Sequence, residues 1–254
     1  MSIKNIAFVG ASGNLGQLVL PELLKTDLNL TAVTRKTSSA KFPEGIKVAK
    51  IDFSLSSLTN GFKEQDAVVS MLPILALGDQ DIIIEPTIAA DNEAVTAAIP
   101  FLEAKTKYLE HLKAKEGVIS WTALFTGPFF DSISRSLVAV LSHAPETANQ
   151  LVYVESFTTT QFEVLAAIKK TTGEKWKVVT KKSEDIRAGG LKAMGKGNIM
   201  EGGANVILAY VLGKDALEDH SQVEVGIWND RLALPKQTVE GEVKRVLQDV
   251  LVNL

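Results

Sequence analysis

The stretch Ile6-Ala7-Phe8-Val9-Gly10-Ala11-Ser12-Gly13-Asn14-Leu15-Gly16 joins an apolar run, a glycine turn and the start of an amphipathic segment. A short continuous apolar run bounded by a turn reads as a strand buried on both faces, as in a parallel sheet. Glycines spaced by three leave the turn free of side chains, so main-chain N–H groups can approach a pyrophosphate, and the following helix offers its positive end to the anion. Gly10, Ser12, Gly13, Asn14, Leu15 and Gly16 are the expected phosphate cradle. The spacing GxxGxxG differs from the commoner GxGxxG, and the same glycines would serve a plain strand-to-helix turn. The strand before them, and the helical face of Leu15, Leu18, Val19 and Leu23 after them, favour the dinucleotide. Pro21 falls inside that helix and is expected to kink it or to remove one hydrogen bond.

Composition narrows the class. The chain has 254 residues, 46% of them hydrophobic, which suits one large α/β domain or a nucleotide domain with a smaller cap. Its formal net charge is −3 and its Lys and Arg are scattered, so neither nucleic acid nor an anionic membrane is an expected partner. With no cysteine there are no disulfides, thiolate metal sites or Cys nucleophiles. His111, His143 and His220 stand far apart in polar surroundings and read as surface residues, so no metal site is expected. The N-terminus runs straight into the first strand, so no signal peptide or membrane span is expected and a reducing, cytoplasmic setting follows.

Further along, strand-like runs alternate with helical periods: strands over 3–9, 30–34, 47–51 and 67–71, helices to about Thr26 and over 55–62. That alternation marks a parallel sheet wrapped by helices. A fifth strand should follow the helical stretch after Pro73. Instead 91–112 reads as helix again, broken at Pro100, and a second abrupt join falls at Phe130-Asp131-Ser132, between a strand with its exit (118–130) and a helix (132–141). The chain is expected to lack loops near 90/91 and 131/132.

In the C-terminal half, 151–157 is strand-like, and Thr160-Gln161-Phe162-Glu163 is a capping box opening a helix closed by Gly173. The run 175–181 alternates like a strand, with Trp176 and Val178 on one face. Glycine-rich helices over 184–194 and 199–212 and a last helix over 239–251 complete the chain. The expected fold is α/β, a Rossmann-type doubly wound parallel sheet with a small C-terminal α+β substrate cap. Residues 1–125 form the nucleotide-binding part, and residues 126–254 a substrate-binding subdomain interleaved with the sheet.

The end of the second strand distinguishes NAD from NADP, because an acid there accepts from the ribose 2′-OH whereas a basic residue meets a 2′-phosphate. Between Leu28 and Pro43 there is no Asp or Glu; the strand ends Thr34-Arg35-Lys36-Thr37-Ser38. Arg35 supplies forked donors and Lys36 a point charge, so NADP(H) is the expected cofactor, although the same residues would also make a solvated loop. Asp52 and Phe53 are placed to meet the adenine edge, and Ser70 to Pro73, with Met71 and Leu72, to border the ribose. Ordinary strand-end chemistry is the alternative for both.

With these features on the page the chain resembles the NmrA-like, isoflavone-reductase-like group of atypical short-chain dehydrogenases, especially its fungal members. The matching stretches are 9–16, 33–38, 48–53, 66–73, Ser120-Trp121-Thr122, Thr126-Gly127-Pro128-Phe129-Phe130-Asp131 and 153–176. The resemblance implies a Rossmann sheet with a small C-terminal cap. It also implies either hydride transfer from NADPH to a small aromatic or phenylpropanoid-type substrate, or, as in regulator-type members, dinucleotide binding without turnover. Members of the group carry a fifth strand with an acid-bearing loop, and a longer crossover, where the two joins fall.

Reductases of the group use a helix lysine near the nicotinamide as proton donor or ribose anchor, and Lys105-Thr106-Lys107-Tyr108-Leu109 looks like that helix. Lys105 fits by register, with Lys107 the alternative. Leu109 stands where the group has an Arg, and the neighbouring Glu103, Glu110, Lys113 and Lys115 leave an ordinary charged helix face as the other reading. Burial beside a cationic ring would suit such a lysine to acid–base work near neutral pH. Pro128, Phe129 and Phe130 would form an apolar wall for a flat ring, or else core packing. Tyr210 and Lys214 match the Tyr-x-x-x-Lys string of short-chain dehydrogenases, but Tyr210 falls in a late apolar helix far from any sheet edge, and the match is read as chance. The expectation is an NADPH-dependent reductase of a small, aromatic or secondary-metabolite substrate. The alternative is an NADP(H) sensor that acts through a protein partner.

Overall fold

The computed structural model describes residues 3–71, 103–126, 132–213, 220 and 223–252. Strands β1 (Asn5–Val9), β2 (Asn29–Arg35), β3 (Lys47–Ile51) and β4 (Ala67–Ser70) form a parallel sheet in the order β3-β2-β1-β4. Strands β5 (Thr122–Phe125) and β6 (Gln150–Tyr153) form a separate parallel pair among the described residues. Helix α1 (Asn14–Leu23) joins β1 to β2, and α2 (Leu55–Gly61) leads from β3 back to β4 on the other flank of β1. The order therefore reverses between β1 and β4, and open α/β sheets bind ligands outside the carboxyl ends of their strands at such a point. Residues of both strands meet there: the Met71 amide donates to the Val9 carbonyl at 2.9 Å.

Side chains of β1 alternate between two cores, as the pleat requires. Ile6 and Phe8 enter the main core, and Ala7 and Val9 a smaller one with Val33 and Ile51, covered by Leu58 and Phe62. Full burial of a side chain such as Phe8 or Ile6 contributes about 1.5–3 kcal/mol. The main core also takes Leu124 of β5, Val152 of β6, and Ile133, Leu137, Val140 and Leu141 of α4 (Ser132–Ser142). One apolar body thus underlies both sheets. Helix α4 packs on α1, and its Ser134 hydroxyl donates to the Leu18 carbonyl at 3.2 Å, in the turn before Pro21.

The amino edge of the sheet is held by Asp66, whose carboxylate accepts the amides of Asn5 at 2.7 Å and Lys4 at 2.9 Å. Those two amides, Asn5 first, hold the carboxyl below the usual carboxylate range.

The remaining elements are α3 (Glu103–Lys113), α5 (Ala144–Thr147), α6 (Gln161–Thr172), α7 (Ser183–Gly195), α8 (Ile199–Val211) and α9 (Val239–Val252). Both halves of the Thr160–Glu163 capping box form, and Gly173 ends α6 at φ +69°. Helix α6 packs on α9, and α7 packs on α8 through Gly190 and Gly202, where an added Cβ would lie within 2.7 Å of the other helix's backbone. Among the described residues no helix is long and apolar enough to cross a membrane.

Several expectations need correcting. The buried stripe of α1 is Gly16, Val19, Leu20 and Leu23, while Leu18 is 65% exposed, and the helix ends at Leu23, before Thr26. The phase is set by Gly16, which must face the turn, and this rotates Leu18 outward. His220 is not a surface residue: it is 2% exposed, its ring edge-on to Tyr153 at 5.2 Å, and Tyr153 stacks on Phe125 at 4.5 Å. Polar neighbours in sequence say little about burial by an aromatic stack assembled from distant strands. Within the strand and exit expected over 118–130, the described residues place the strand at Thr122–Phe125. The one expected over 175–181 does not form: no backbone among the described residues pairs with it. The joins at 90/91 and 131/132 lie outside the described residues.

An added Cβ at Gly16 would stand 2.2 Å from the Gly10 carbonyl oxygen, whereas one at exposed Gly117 meets nothing within 4 Å. Gly16→Ala is expected to cost at least about 1–3 kcal/mol by urea unfolding, with Gly117→Ala near neutral. For Asp66 the folded value lies below the unfolded one, so its contribution is complete above about pH 3.9 and is lost as pH falls through the folded value. Asp66→Asn should lower the melting temperature at neutral pH and flatten the acid limb of the stability profile.

Candidate functional site

At the carboxyl edge of β1 the chain turns on Gly10, at φ +85°, a left-handed conformation that glycine adopts without steric penalty. The Gly13 amide closes the turn on the Gly10 carbonyl at 2.9 Å, and the Gln17 side chain holds the Ser12 carbonyl at 3.1 Å. Gly13 caps α1 without a side-chain hydrogen bond, and no acid occupies the first turn. The amides of Asn14, Leu15 and Gly16 consequently have no acceptor among the described residues. Free amides, a positive helix end and a turn cleared of side chains together fit an anionic phosphate.

The neighbouring strand ends carry the other expected residues. Thr34 is buried on β2, while Arg35 and Lys36 are exposed at its carboxyl end. Lys36 is already engaged: its ammonium pairs with Asp52, just past β3, and Asp52 also accepts from the Ser54 hydroxyl at 2.6 Å. The Lys36 hydrogen bond first, and Ser54 second, hold the Asp52 carboxyl far below the usual range. Among the described residues Arg35 makes no ion pair or hydrogen bond through its side chain, so it is the cation ready for a further anion. Phe53 has φ +62° and is half-buried against the smaller core, and Met71 is buried in the main core, so Met71 reaches the site through its main chain.

Two hydroxyls that end strands stand out. Ser70, the last residue of β4, is 1% exposed and Thr126, just after β5, is 4% exposed, and neither side-chain oxygen has a hydrogen-bond partner among the described residues. A buried unpaired hydroxyl costs about 1–3 kcal/mol, so polar atoms orphaned at the carboxyl edge fit a site completed by a ligand. Thr126 and Gln17 were not singled out in the sequence. Thr126 had a signal, a hydroxyl closing an apolar strand, whereas Gln17 had none.

On α3, Lys105 is half-buried and Lys107 exposed. Leu109 is buried at 8% exposure, and a residue four positions away shares its helix face, so Lys105 stands on the side turned into the protein. Leu72, Pro73, Pro128, Phe129 and Phe130 lie outside the described residues. Tyr210 lies on α8 within the α7–α8 pair, and Lys214 is outside the described residues.

Comparison with known proteins agrees with this geometry. Residues 10–107 match the family model described as NAD(P)H-binding. The chain is 25% identical to the oxidoreductase aprR of Aspergillus flavus over 98% of its own length and 100% of the relative's. That alignment runs over 304 positions against 254 residues here, so the relative carries stretches without a counterpart in this chain. In fold, the chain is similar to leucoanthocyanidin reductase from Vitis vinifera in its binary complex with NADPH, with TM-score 0.74 and 14% identity over 96% of this chain and 99% of that one. It is likewise similar to an isoflavone reductase, with TM-score 0.70 and 15% identity over 98% and 100%. The Rossmann-type fold and the NAD(P)H-binding stretch that the resemblance implies are borne out.

Aspartate at the Gly13 cap position separates folding from binding. Gly13→Asp supplies the missing cap for α1 but sets a carboxylate where the phosphates belong. The variant should melt close to the parent without ligand, while the stabilisation by NADPH, about 2.7 kcal/mol at a hundredfold excess over Kd and read as a rise in melting temperature, disappears.

Proposed function

We propose that this NAD(P)H-binding chain, folded as the isoflavone and leucoanthocyanidin reductases are, is an NADPH-dependent reductase of a small, aromatic, secondary-metabolite-type substrate. The carrying observation is the glycine-cleared first turn of α1, with unclaimed amides on Asn14, Leu15 and Gly16, in a sheet whose second strand ends on an unpaired Arg35. In this reading residues 1–125 hold the nucleotide and residues 126–254 the substrate.

The amides and the helix end bind the pyrophosphate, and Arg35 takes the 2′-phosphate in a forked contact. Lys36, tied to Asp52, adds charge without changing its pairing. When bound, NADPH supplies the hydride. Lys105 holds the ribose or gives its Nζ proton to the substrate oxygen as the adjacent carbon is reduced. Its inward face supports that role over Lys107. The substrate class is supported by the names of the two reductases that share the fold. A sensor that binds NADP(H) without turnover is the second reading, favoured by the stretches that aprR carries and this chain lacks.

Turnover decides between them. Loss of NADPH absorbance against a panel of aromatic ketones and enones is expected, with kcat falling about 100-fold or more in Lys105→Ala and unchanged in Lys107→Ala. NADPH binding with no oxidation across the panel would establish the sensor. Equal turnover in Lys105→Ala would remove that residue from the chemistry. Separately, Arg35→Ala should raise the Kd for NADPH about 10- to 100-fold and leave that for NADH unchanged, both measured by fluorescence titration.

A further inference from the structure

Between α6 and α7 the chain Glu174-Lys175-Trp176-Lys177-Val178-Val179-Thr180-Lys181-Lys182 runs without turn or bend, and every one of these residues is exposed. From Lys175 to Thr180 no main-chain amide or carbonyl is hydrogen-bonded to another main-chain group among the described residues. Its ends are nevertheless fixed: Gly173 closes α6, which packs on α9, and Lys182 caps α7, which packs on α8. The Trp176 indole is pinned by its N–H to the Thr172 hydroxyl at 3.1 Å. The result is an irregular segment anchored at both ends, with main-chain groups unpaired among the described residues and large apolar side chains turned to water. Trp176 is 47%, Val178 53% and Val179 67% exposed.

The side chains select what can pair with it. Lys175, Lys177, Lys181 and Lys182 put four cations in eight residues of a chain whose net charge is −3. Antiparallel pairing with a second copy, centred between Val178 and Val179, would set Lys175 opposite Lys182, and like charges directly opposed are destabilising. An acidic strand reverses that sign at each lysine and offers apolar or β-branched neighbours to Trp176, Val178 and Thr180. We propose that residues 174–182 form a docking strand that captures an extended acidic peptide segment of another protein by β-strand addition. Main-chain bonds supply the affinity and the lysines the selection. The fixed ends reduce the ordering cost of binding. This docking does not depend on the nucleotide site.

The test is fluorescence anisotropy of a labelled peptide of about 8 residues, alternating Glu with Val and Thr, against the whole protein. Saturable binding that weakens with salt is expected. Binding should be lost when the three central peptide residues are replaced by Pro, and reversed by Lys175→Glu with Lys177→Glu and Lys181→Glu. Val178→Pro and Val179→Pro delete main-chain donors on opposite edges of the docked strand, at positions that bond no main-chain group among the described residues. At least one should raise Kd about tenfold while the melting temperature holds. Absence of saturable binding overturns the proposal. So does equal binding by both proline variants and by the proline peptide, which would mean charge attraction alone. Tighter binding of single-stranded oligothymidylate than of the peptide would replace it with a nucleic-acid stacking surface built on Trp176.

Discussion

Gly16 lies against the Gly10 carbonyl with no room for a Cβ, and much of the nucleotide half follows from that approach. It sets where α1 begins and in which phase, so Val19, Leu20 and Leu23 face the sheet while Leu18 faces out. It also brings the first-turn amides of α1 to the reversal point between β1 and β4, where the dipole and the free N–H groups face the place proposed for the phosphates. Packing and binding therefore make the same demand on one residue. A side chain there would push the helix off the sheet and fill the turn proposed to hold the phosphates.

Around that contact the described strands belong to two sheets over a single core. Leu124, Val152 and the inward face of α4 meet the same apolar body as Phe8 and Leu23. This sharing joins the β5–β6 pair to the nucleotide-binding sheet by packing, although no strand of one pairs with the other among the described residues. The hydroxyls of Ser70, at the end of β4, and Thr126, just after β5, are buried without partners among the described residues.

Electrostatics at the β2–β3 edge is a division of labour between two neighbouring cations. Asp52 holds Lys36, and the depressed acidity constant of Asp52 records the strength of that hold. Arg35 is left for an incoming charge, and its planar fork suits a phosphate better than an ammonium does. On α3, burial of Leu109 similarly separates Lys105 from Lys107, two lysines that differ little in sequence context.

What the sequence determined by itself was local: the glycine turn after an apolar strand, the basic end of β2, β3 at 47–51, the Thr160–Glu163 capping box and the glycine stop at Gly173. Each is a matter of backbone dihedrals, spacing or caps within a few residues, and such signals are written in adjacent positions. Tertiary structure alone decided which face of α1 is buried, that His220 lies inside an aromatic stack, that Lys36 is engaged while Arg35 is not, and that 175–181 stays unpaired. Those outcomes depend on which distant segment arrives alongside, and an alternating pattern can state that a residue is ready for a partner without containing the partner.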